Sequence, residues 1–83
     1  MSADISTEGL IQSAVEARKL AMAPYSNYKV GAALLTDSDE IITAGNIESS
    51  SYSLTLCAER VALFSALSSG YREFTSIAVA TDN

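Results

Sequence analysis

The spacing of apolar residues predicts that the chain begins with an amphipathic helix. Between residues 7 and 22, apolar side chains recur every three or four positions, as on one face of a helix. They are Leu10, Ile11, Ala14, Val15, Ala17, Ala21 and Met22. Ser6 or Thr7 is placed to cap this helix, because serine and threonine hydroxyls accept hydrogen bonds from first-turn N–H groups. Pro24 disfavours helical backbone in the residue before it, so we expect the helix to end there in a turn over residues 24–27.

Three further apolar runs predict β-strands, at residues 28–36, 41–47 and 74–81. Because a short polar segment separates the first two runs, we expect them to pair as an antiparallel hairpin. The first run is apolar almost without interruption from Val30 to Leu35, which is typical of a strand covered on both faces. Its Gly31 lacks a side chain, so another element is expected to pack close to the backbone there.

A second helix is predicted between the second and third strands. The serine-rich residues 48–53 are expected to form the loop before it. The helix begins at about Thr55 or Cys57 and ends at Ser69, with Gly70 as its C-terminal stop. Its expected apolar stripe consists of Val61, Leu63, Phe64 and Leu67. The order helix, strand, strand, helix, strand predicts an α/β layered sandwich, in which the second helix crosses over if strands two and three run parallel.

Composition limits the classes of function open to the chain. Its 83 residues make one domain, and 48% hydrophobic with 18% charged residues favours a folded protein over a disordered one. The net charge is −5 and the five basic residues are scattered, which argues against nucleic-acid binding. No segment has the pattern of a membrane helix or a signal peptide, and a single cysteine cannot form an internal disulfide. We therefore expect a cytoplasmic protein with a small-molecule partner, and neither nucleic acid nor membrane.

The most informative chemistry lies in the four residues Cys57-Ala58-Glu59-Arg60. At a helix N-terminus the dipole favours a thiolate, which can bind Zn²⁺, and a nearby carboxylate can carry protons for a metal-bound water. Taken singly, each residue has a plainer interpretation: a small buried cysteine, a first-turn glutamate and a solvated arginine. Catalytic zinc needs three protein ligands, whereas the chain has one cysteine and no histidine. On this count the chain supplies one zinc ligand and lacks the others.

Three segments in register resemble the small, homotetrameric, zinc-dependent cytidine deaminases. Residues 23–34 are similar to the opening signature of that family, residues 46–60 to its ribose- and zinc-binding segment, and residues 70–74 continue the match. Their sequences are APYSNYKVGAAL, NIESSSYSLTLCAER and GYREF. The resemblance implies a single, truncated cytidine-deaminase-like domain over 1–83, with an incomplete mixed sheet. It also implies that the Pro-Cys-x-x-Cys helix start, which carries two further zinc thiolates in the family, would lie beyond Asn83.

The resemblance implies a role for each residue of the zinc-binding segment. Cys57 corresponds to the first zinc thiolate. Glu59 corresponds to the acid/base that activates the zinc-bound water and protonates the pyrimidine ring. Arg60 corresponds to the residue that compensates the charge of the thiolates.

Four residues are implied to bind substrate. Asn46 and Glu48 correspond to the pair that hydrogen-bonds the ribose hydroxyls, and the backbone of Ala58 lies where the family contacts the base edge. Tyr28 stands where the family usually has a phenylalanine that packs against the pyrimidine. In isolation, Asn46 would be a strand-end residue, Glu48 a loop charge and Tyr28 a strand aromatic.

The function that follows from the resemblance is zinc-dependent hydrolytic deamination of cytidine or deoxycytidine to uridine or deoxyuridine, in pyrimidine salvage. A homo-oligomer, tetrameric by resemblance, is expected. The alternative is a catalytically inactive, truncated member of the family that acts as a binding or assembly module. Deamination of a free nucleobase or an aminonucleoside antibiotic is a third hypothesis, which the ribose-contact pattern of Asn46 and Glu48 disfavours.

Overall fold

The structure is a computed structural model, which describes residues 7–49 and 54–81. Two helices and five strands follow one another in these residues, with a single 3₁₀ turn at Arg18–Leu20 after the first helix. They are α1 (Thr7–Ala17), β1 (Val30–Thr36), β2 (Ile41–Gly45), β3 (Ile47–Ser49), β4 (Leu54–Leu56), α2 (Ala58–Ser68) and β5 (Phe74–Thr81). The predicted order of helices and strands is therefore present, with the short β3–β4 hairpin added to it.

The main sheet has three strands in the order β2-β1-β5. Both neighbours pair antiparallel with β1, so that Gly31 lies opposite Gly45 on one side and Ala80 on the other. Since β2 and β5 are both antiparallel to β1, they run in the same direction, and α2 makes the crossover between them. The predicted layered α/β fold is confirmed. The described sheet is antiparallel throughout, so the parallel pairing of a mixed sheet is not found among these strands.

The two helices cover opposite faces of the sheet, because alternate residues of β1 point to opposite sides. Ala33 packs with Leu10 and Ala14 of α1. Ala32 and Leu34 pack with the residues of α2. The prediction that this strand is covered on both faces is therefore confirmed.

The helix α2 packs against the sheet through alanines. Its buried residues are Ala58, Ala62 and Ala66, spaced four apart along one face. The prediction that α2 packs on the sheet mainly through Val61, Leu63, Phe64 and Leu67 is wrong. Phe64, for example, is 54% exposed. Small side chains allow the helix backbone to approach the sheet, and larger residues then flank the contact instead of filling it.

Gly31 and Gly45 allow the segment of α1 and its 3₁₀ turn to lie directly on the sheet. A Cβ at Gly31 would lie 2.1 Å from the carbonyl oxygen of Ala14, and one at Gly45 would lie 2.4 Å from the amide nitrogen of Ala21. Both distances are far shorter than van der Waals contact. The close approach expected at Gly31 is therefore present, and it is made by helix backbone.

The first helix and the second strand both end earlier than predicted, at Leu20 (after the 3₁₀ turn) and at Gly45. The cause is a pairing between Met22 and the residues that follow β2. The N–H of Met22 donates to the carbonyl of Asn46 (2.8 Å), and the N–H of Glu48 donates to the carbonyl of Met22 (2.7 Å). This pairing ends the first helical segment before residue 22 and separates β3 from β2. Residues 47–49 then pair with 54–56, so part of the predicted 48–53 loop is a strand. Ser6 and residues 50–53 lie outside the described residues.

Neither helix in the described part of the chain is long and apolar enough to cross a lipid bilayer.

The contact at Gly31 predicts a large loss of stability on adding one methyl group. The Gly31→Ala variant should lose at least about 2 kcal/mol of unfolding free energy, because overpacking against rigid backbone cannot be relieved by a side-chain rotation. Urea denaturation followed by circular dichroism measures it. The control is Ser68→Ala, an exposed change in α2 that should stay within about 0.5 kcal/mol. Equal stability of the two variants would contradict the close packing of α1 on β1.

Candidate active site

The N-terminus of α2 presents Cys57 and Glu59 at one end of the main sheet. Cys57 is the N-cap residue, with extended backbone (φ −69°, ψ 146°), and its carbonyl accepts the N–H groups of Arg60 (3.0 Å) and Val61 (3.1 Å). Its thiol makes no capping hydrogen bond and is exposed. Glu59 lies in the first turn, where a carboxylate is favoured by the helix dipole. The predicted placement of both residues at a helix start is therefore observed.

A cavity of about 300 Å³ opens beside this helix start. It lies where β1 begins and where β2 and β5 end, because antiparallel pairing brings those three points to the same edge of the sheet. Four of the predicted site residues line it: Asn46, Cys57, Ala58 and Glu59. The remaining lining residues are Val30, Leu56, Val79 and Thr81. This volume lies at the lower end of the range of small-molecule sites, and the wall combines apolar side chains with a few polar groups.

A second cavity, of about 450 Å³, lies between α1 and β5. It is larger, yet its lining contains no carboxylate, thiol or amine. Of these two cavities, chemistry therefore favours the one at the start of α2 as the candidate site.

Asn46 connects the end of β2 to the start of β1 through its side-chain amide. Its Oδ1 accepts the N–H of Val30 (2.9 Å), and its Nδ2 donates to the carbonyl of Tyr28 (2.9 Å). Its own N–H donates to the carbonyl of Val30 (3.1 Å), so main chain and side chain together extend the β1–β2 ladder. The residue is only 8% exposed. Each amide atom retains one further hydrogen-bonding position, which is directed by these two bonds.

Glu48 binds the turn that precedes β1. Its Oε1 accepts the N–H groups of Tyr25 (3.0 Å) and Ser26 (3.1 Å), and its Oε2 accepts the hydroxyl of Ser26. These bonds, led by that of the Ser26 side chain, lower the pKa of the Glu48 carboxyl below its ordinary value of 4.5, because they stabilise the charged form. Glu48 is therefore an ionised, oriented carboxylate at neutral pH.

The other predicted site residues, Tyr28, Glu48 and Arg60, do not line the cavity. Tyr28 precedes β1 instead of belonging to it, and it is 46% exposed. Arg60 is exposed on α2. Glu48 is directed to the turn at residues 25–26. The structure thus brings four of the seven predicted residues to the cavity and holds Glu48 and Tyr28 next to Asn46.

Within residues 7–49 and 54–81, no three His, Cys, Asp or Glu side chains are close enough to hold a metal ion. Cys57 has the chemistry of a zinc ligand and an exposed thiol, so it fits one coordination position. At least one ligand of a three-ligand site would therefore have to come from outside the described residues.

Five residues of the site were not predicted from the sequence: Val30, Leu56, Val79 and Thr81, which line the cavity, and Ser26, which contacts Glu48. Val79 and Thr81 reach the cavity from the end of β5, and their position depends on strand order, which has no local signal. Ser26 has one, because a serine within a proline-containing turn often hydrogen-bonds through its side chain.

The hydrogen bonds of Asn46 predict that its amide supports folding. The Asn46→Ala variant leaves the N–H of Val30 without its partner, which should cost about 1–3 kcal/mol of unfolding free energy. Thermal or urea denaturation measures the loss. Thr43→Ala, an exposed change in the preceding strand β2, is the control and should alter stability by about 0.5 kcal/mol or less. If Asn46→Ala is as stable as the control, the two hydrogen bonds of the Asn46 side chain make no net contribution to the unfolding free energy.

The lowered pKa of Glu48 predicts a pH-dependent contribution to stability. The folded state favours the carboxylate, so Glu48 stabilises the fold above pH 4.5, and this contribution is lost as the pH falls through the lower folded-state pKa. Wild type should therefore exceed Glu48→Gln in unfolding free energy at neutral pH, and the difference should shrink in acid. Denaturant titrations at several pH values measure it.

Glu73→Gln removes the same charge from an exposed position and reports the effect of net charge alone. A wild-type advantage over Glu48→Gln that grows in acid would overturn the assignment.

Comparison with known proteins agrees with this geometry. Residues 5–82 match the family described as the cytidine and deoxycytidylate deaminase zinc-binding region. A cytidine deaminase of Halalkalibacterium halodurans is 52% identical over 73 residues, which are 88% of this chain and 55% of that protein. A probable cytidine deaminase of Dictyostelium discoideum is 48% identical over 75 residues, which are 90% of this chain and 51% of that protein.

The fold is similar as well. The crystal structure of cytidine deaminase from Burkholderia pseudomallei superimposes with a TM-score of 0.89 at 51% identity, covering 94% of this chain and 63% of that one. The chain thus spans between half and two thirds of the length of these relatives. The resemblance inferred from the three sequence segments is confirmed: the chain belongs to the cytidine and deoxycytidylate deaminase family.

Proposed function

We propose that the protein containing this chain hydrolyses the C4 amino group of cytidine and deoxycytidine, giving uridine or deoxyuridine and ammonia. The observation that carries the proposal is the cavity at the start of α2, which brings together Asn46, Cys57, Ala58 and Glu59. It places an acid/base, a thiol and hydrogen-bonding groups around a space of ligand size. Pyrimidine salvage in the cytoplasm is the cellular role that we propose with it.

Zn²⁺ is the cofactor implied by the family, and the chain's residues fit it in part. Cys57 would hold it through the thiolate, and Arg60, three residues along the same helix, would offset part of the negative charge. The described residues provide no complete set of ligands. When bound in such sites, zinc supplies the Lewis acidity that makes water a nucleophile at neutral pH.

Glu59 is the residue that we assign to proton transfer. Deamination forms a bond from a water oxygen to C4 and breaks the C4–N bond, so a proton must leave the water and reach the departing amino group. Glu59 is exposed in the first turn of α2 and lines the cavity, where one carboxylate can accept the first proton and deliver it. Because it is not buried in the core, the side chain can move between the two positions.

Asn46 and Glu48 support a nucleoside as the substrate. Both are held in place by hydrogen bonds to the segment before β1, and both keep hydrogen-bonding capacity for ribose hydroxyls. Ala58, at the first position of α2, has a backbone N–H that is free of intrahelical bonding and lies at the cavity. This is a suitable contact for the edge of a pyrimidine, against which we propose that the ring of Tyr28 packs.

A relative of different specificity keeps the substrate question open to experiment. A blasticidin-S deaminase of Bacillus cereus is 39% identical over 75 residues, which are 89% of this chain and 54% of that protein. We propose the nucleoside over such an antibiotic because Asn46 and Glu48 correspond to the pair that contacts ribose in the nucleoside enzymes of the family.

A second function, as a binding or assembly module without activity, is favoured by one specific observation. Ile77 and Val79 lie on β5, an edge of the described sheet, and are 48% and 49% exposed. Exposed apolar side chains beside the edge of β5 that has no neighbour among the described strands favour association. The same surface supports the homo-oligomer, a tetramer by family, that we propose for the enzyme.

The proposal predicts that Cys57 and Glu59 separate metal binding from turnover. Glu59→Gln should lower cytidine turnover by about 10²–10⁴-fold, the usual contribution of general acid–base catalysis, and leave the zinc content unchanged. Cys57→Ser should lower the zinc content itself. Elemental analysis of protein of verified mass gives the zinc-to-chain ratio, and the loss of absorbance on cytidine deamination gives turnover.

Ser65→Ala, an exposed change in the same helix, is the control for both measurements. If the wild-type protein that contains this chain binds no zinc and does not deaminate cytidine, the proposed enzymatic function is refuted. The binding or assembly module is then the remaining proposal. If Glu59→Gln deaminates cytidine as fast as the wild type, only the assignment of proton transfer to Glu59 is refuted.

A further inference from the structure

The carboxylate of Glu48 is almost fully occupied by one turn of the chain. Tyr25 and Ser26 donate two backbone N–H groups to Oε1, and the Ser26 hydroxyl donates to Oε2. A carboxylate offers about four acceptor positions, two on each oxygen. The described residues use three of them, so the position that these residues leave open lies on Oε2, the oxygen that Ser26 also contacts.

The hydroxyl of Ser26 has a defined orientation. Its oxygen accepts the N–H of Tyr28 (3.1 Å), while its proton is donated to Glu48. An ionised carboxylate can only accept, and a backbone N–H can only donate, so the direction of both bonds is fixed. Ser26 therefore connects Glu48 to the main chain of Tyr28.

The connection continues to Asn46. The carbonyl of Tyr28 accepts from Nδ2 of Asn46 (2.9 Å), which completes a series of contacts from Glu48 through Ser26 and Tyr28 to Asn46. The two side chains that we propose as ribose contacts are thus joined through Ser26 as well as through the main chain between them. A shift of Ser26 would change the direction of the one free position on Glu48.

We propose that Ser26 is a positioning residue for nucleoside binding: its hydroxyl holds Oε2 of Glu48 so that one acceptor position faces a ribose hydroxyl. This inference rests on the proposed function, since it requires that a nucleoside binds at Asn46 and Glu48. Ser26 itself need not touch the substrate. Its effect should therefore depend on the presence of ribose hydroxyls in the ligand.

The test compares two nucleosides in a Glu59→Gln background, in which the ligand stays intact. Cytidine has both ribose hydroxyls, and 2′,3′-dideoxycytidine has neither. Ser26→Ala should weaken cytidine binding about tenfold, the equivalent of one charge-assisted hydrogen bond, and change dideoxycytidine binding less than about twofold. Amide chemical-shift titration of the protein that contains this chain measures both dissociation constants.

Two matched variants separate positioning from folding. Ser26→Thr keeps the hydroxyl at an exposed position and should restore cytidine binding to the wild-type value. Ser38→Ala removes a hydroxyl that contacts the Thr36 hydroxyl in the turn after β1, and it should change neither nucleoside's affinity. Equal losses for both nucleosides in Ser26→Ala would assign Ser26 to folding alone and overturn the proposal.

A measurement without ligand gives an independent check. Carbon-detected titration of the Glu48 carboxyl should show a higher pKa in Ser26→Ala than in wild type, and no change in Ser26→Thr. An unchanged Glu48 titration in Ser26→Ala would overturn the proposal. If the Glu59→Gln protein with Ser26 intact binds neither nucleoside, the proposed function fails and the role of Ser26 fails with it. If that protein binds cytidine and Ser26→Ala leaves its affinity unchanged, only the role of Ser26 is refuted.

Discussion

The close packing of β1 between two helices is the constraint on which the rest of the structure depends. Gly31, Ala32 and Ala33 present almost no side-chain volume, so α1 lies against one face and α2 against the other. The interior therefore consists largely of alanine, and its stability comes from contact density more than from large buried groups. Because α2 is held this near to β1, its first turn stands at the point where β1 begins.

The same point of the sheet is where a polar network replaces the regular ladder. Beyond the last β1–β2 pair, Asn46 bonds to Tyr28 and Val30, and two residues later Glu48 bonds to the turn at Ser26. These side chains stabilise an irregular connection and are oriented by it. The fold and the proposed ribose contacts thus depend on the same hydrogen bonds, which hold the Asn46 and Glu48 side chains in place without a separate support.

The helices, strands and turn were largely predictable, because periodicity of two or 3.6 residues is a local property. The strand at Phe74–Thr81 and the central strand from Val30 illustrate this. The β3–β4 hairpin was not predictable, since its strands are three residues long and β3 forms through contact with Met22, which is distant in sequence. The buried face of α2 was missed for a related reason: alanines carry a weak hydrophobic signal, and a nearby sheet selects them over larger residues.

For the site, the sequence by itself determined the chemical groups and the family: a thiol and a carboxylate at a helix start, and the Asn46–Glu48 pair before them. The thiol and the carboxylate follow from residue type and position, whereas the family and the Asn46–Glu48 pair follow from the resemblance of three segments in register. Neither step needs knowledge of the fold. Only the tertiary structure decided which groups meet. It brought Asn46, Cys57 and Glu59 to one cavity, added Thr81 from the end of β5 and directed Glu48 to Ser26, because strand order and antiparallel register bring distant segments to the same edge of the sheet.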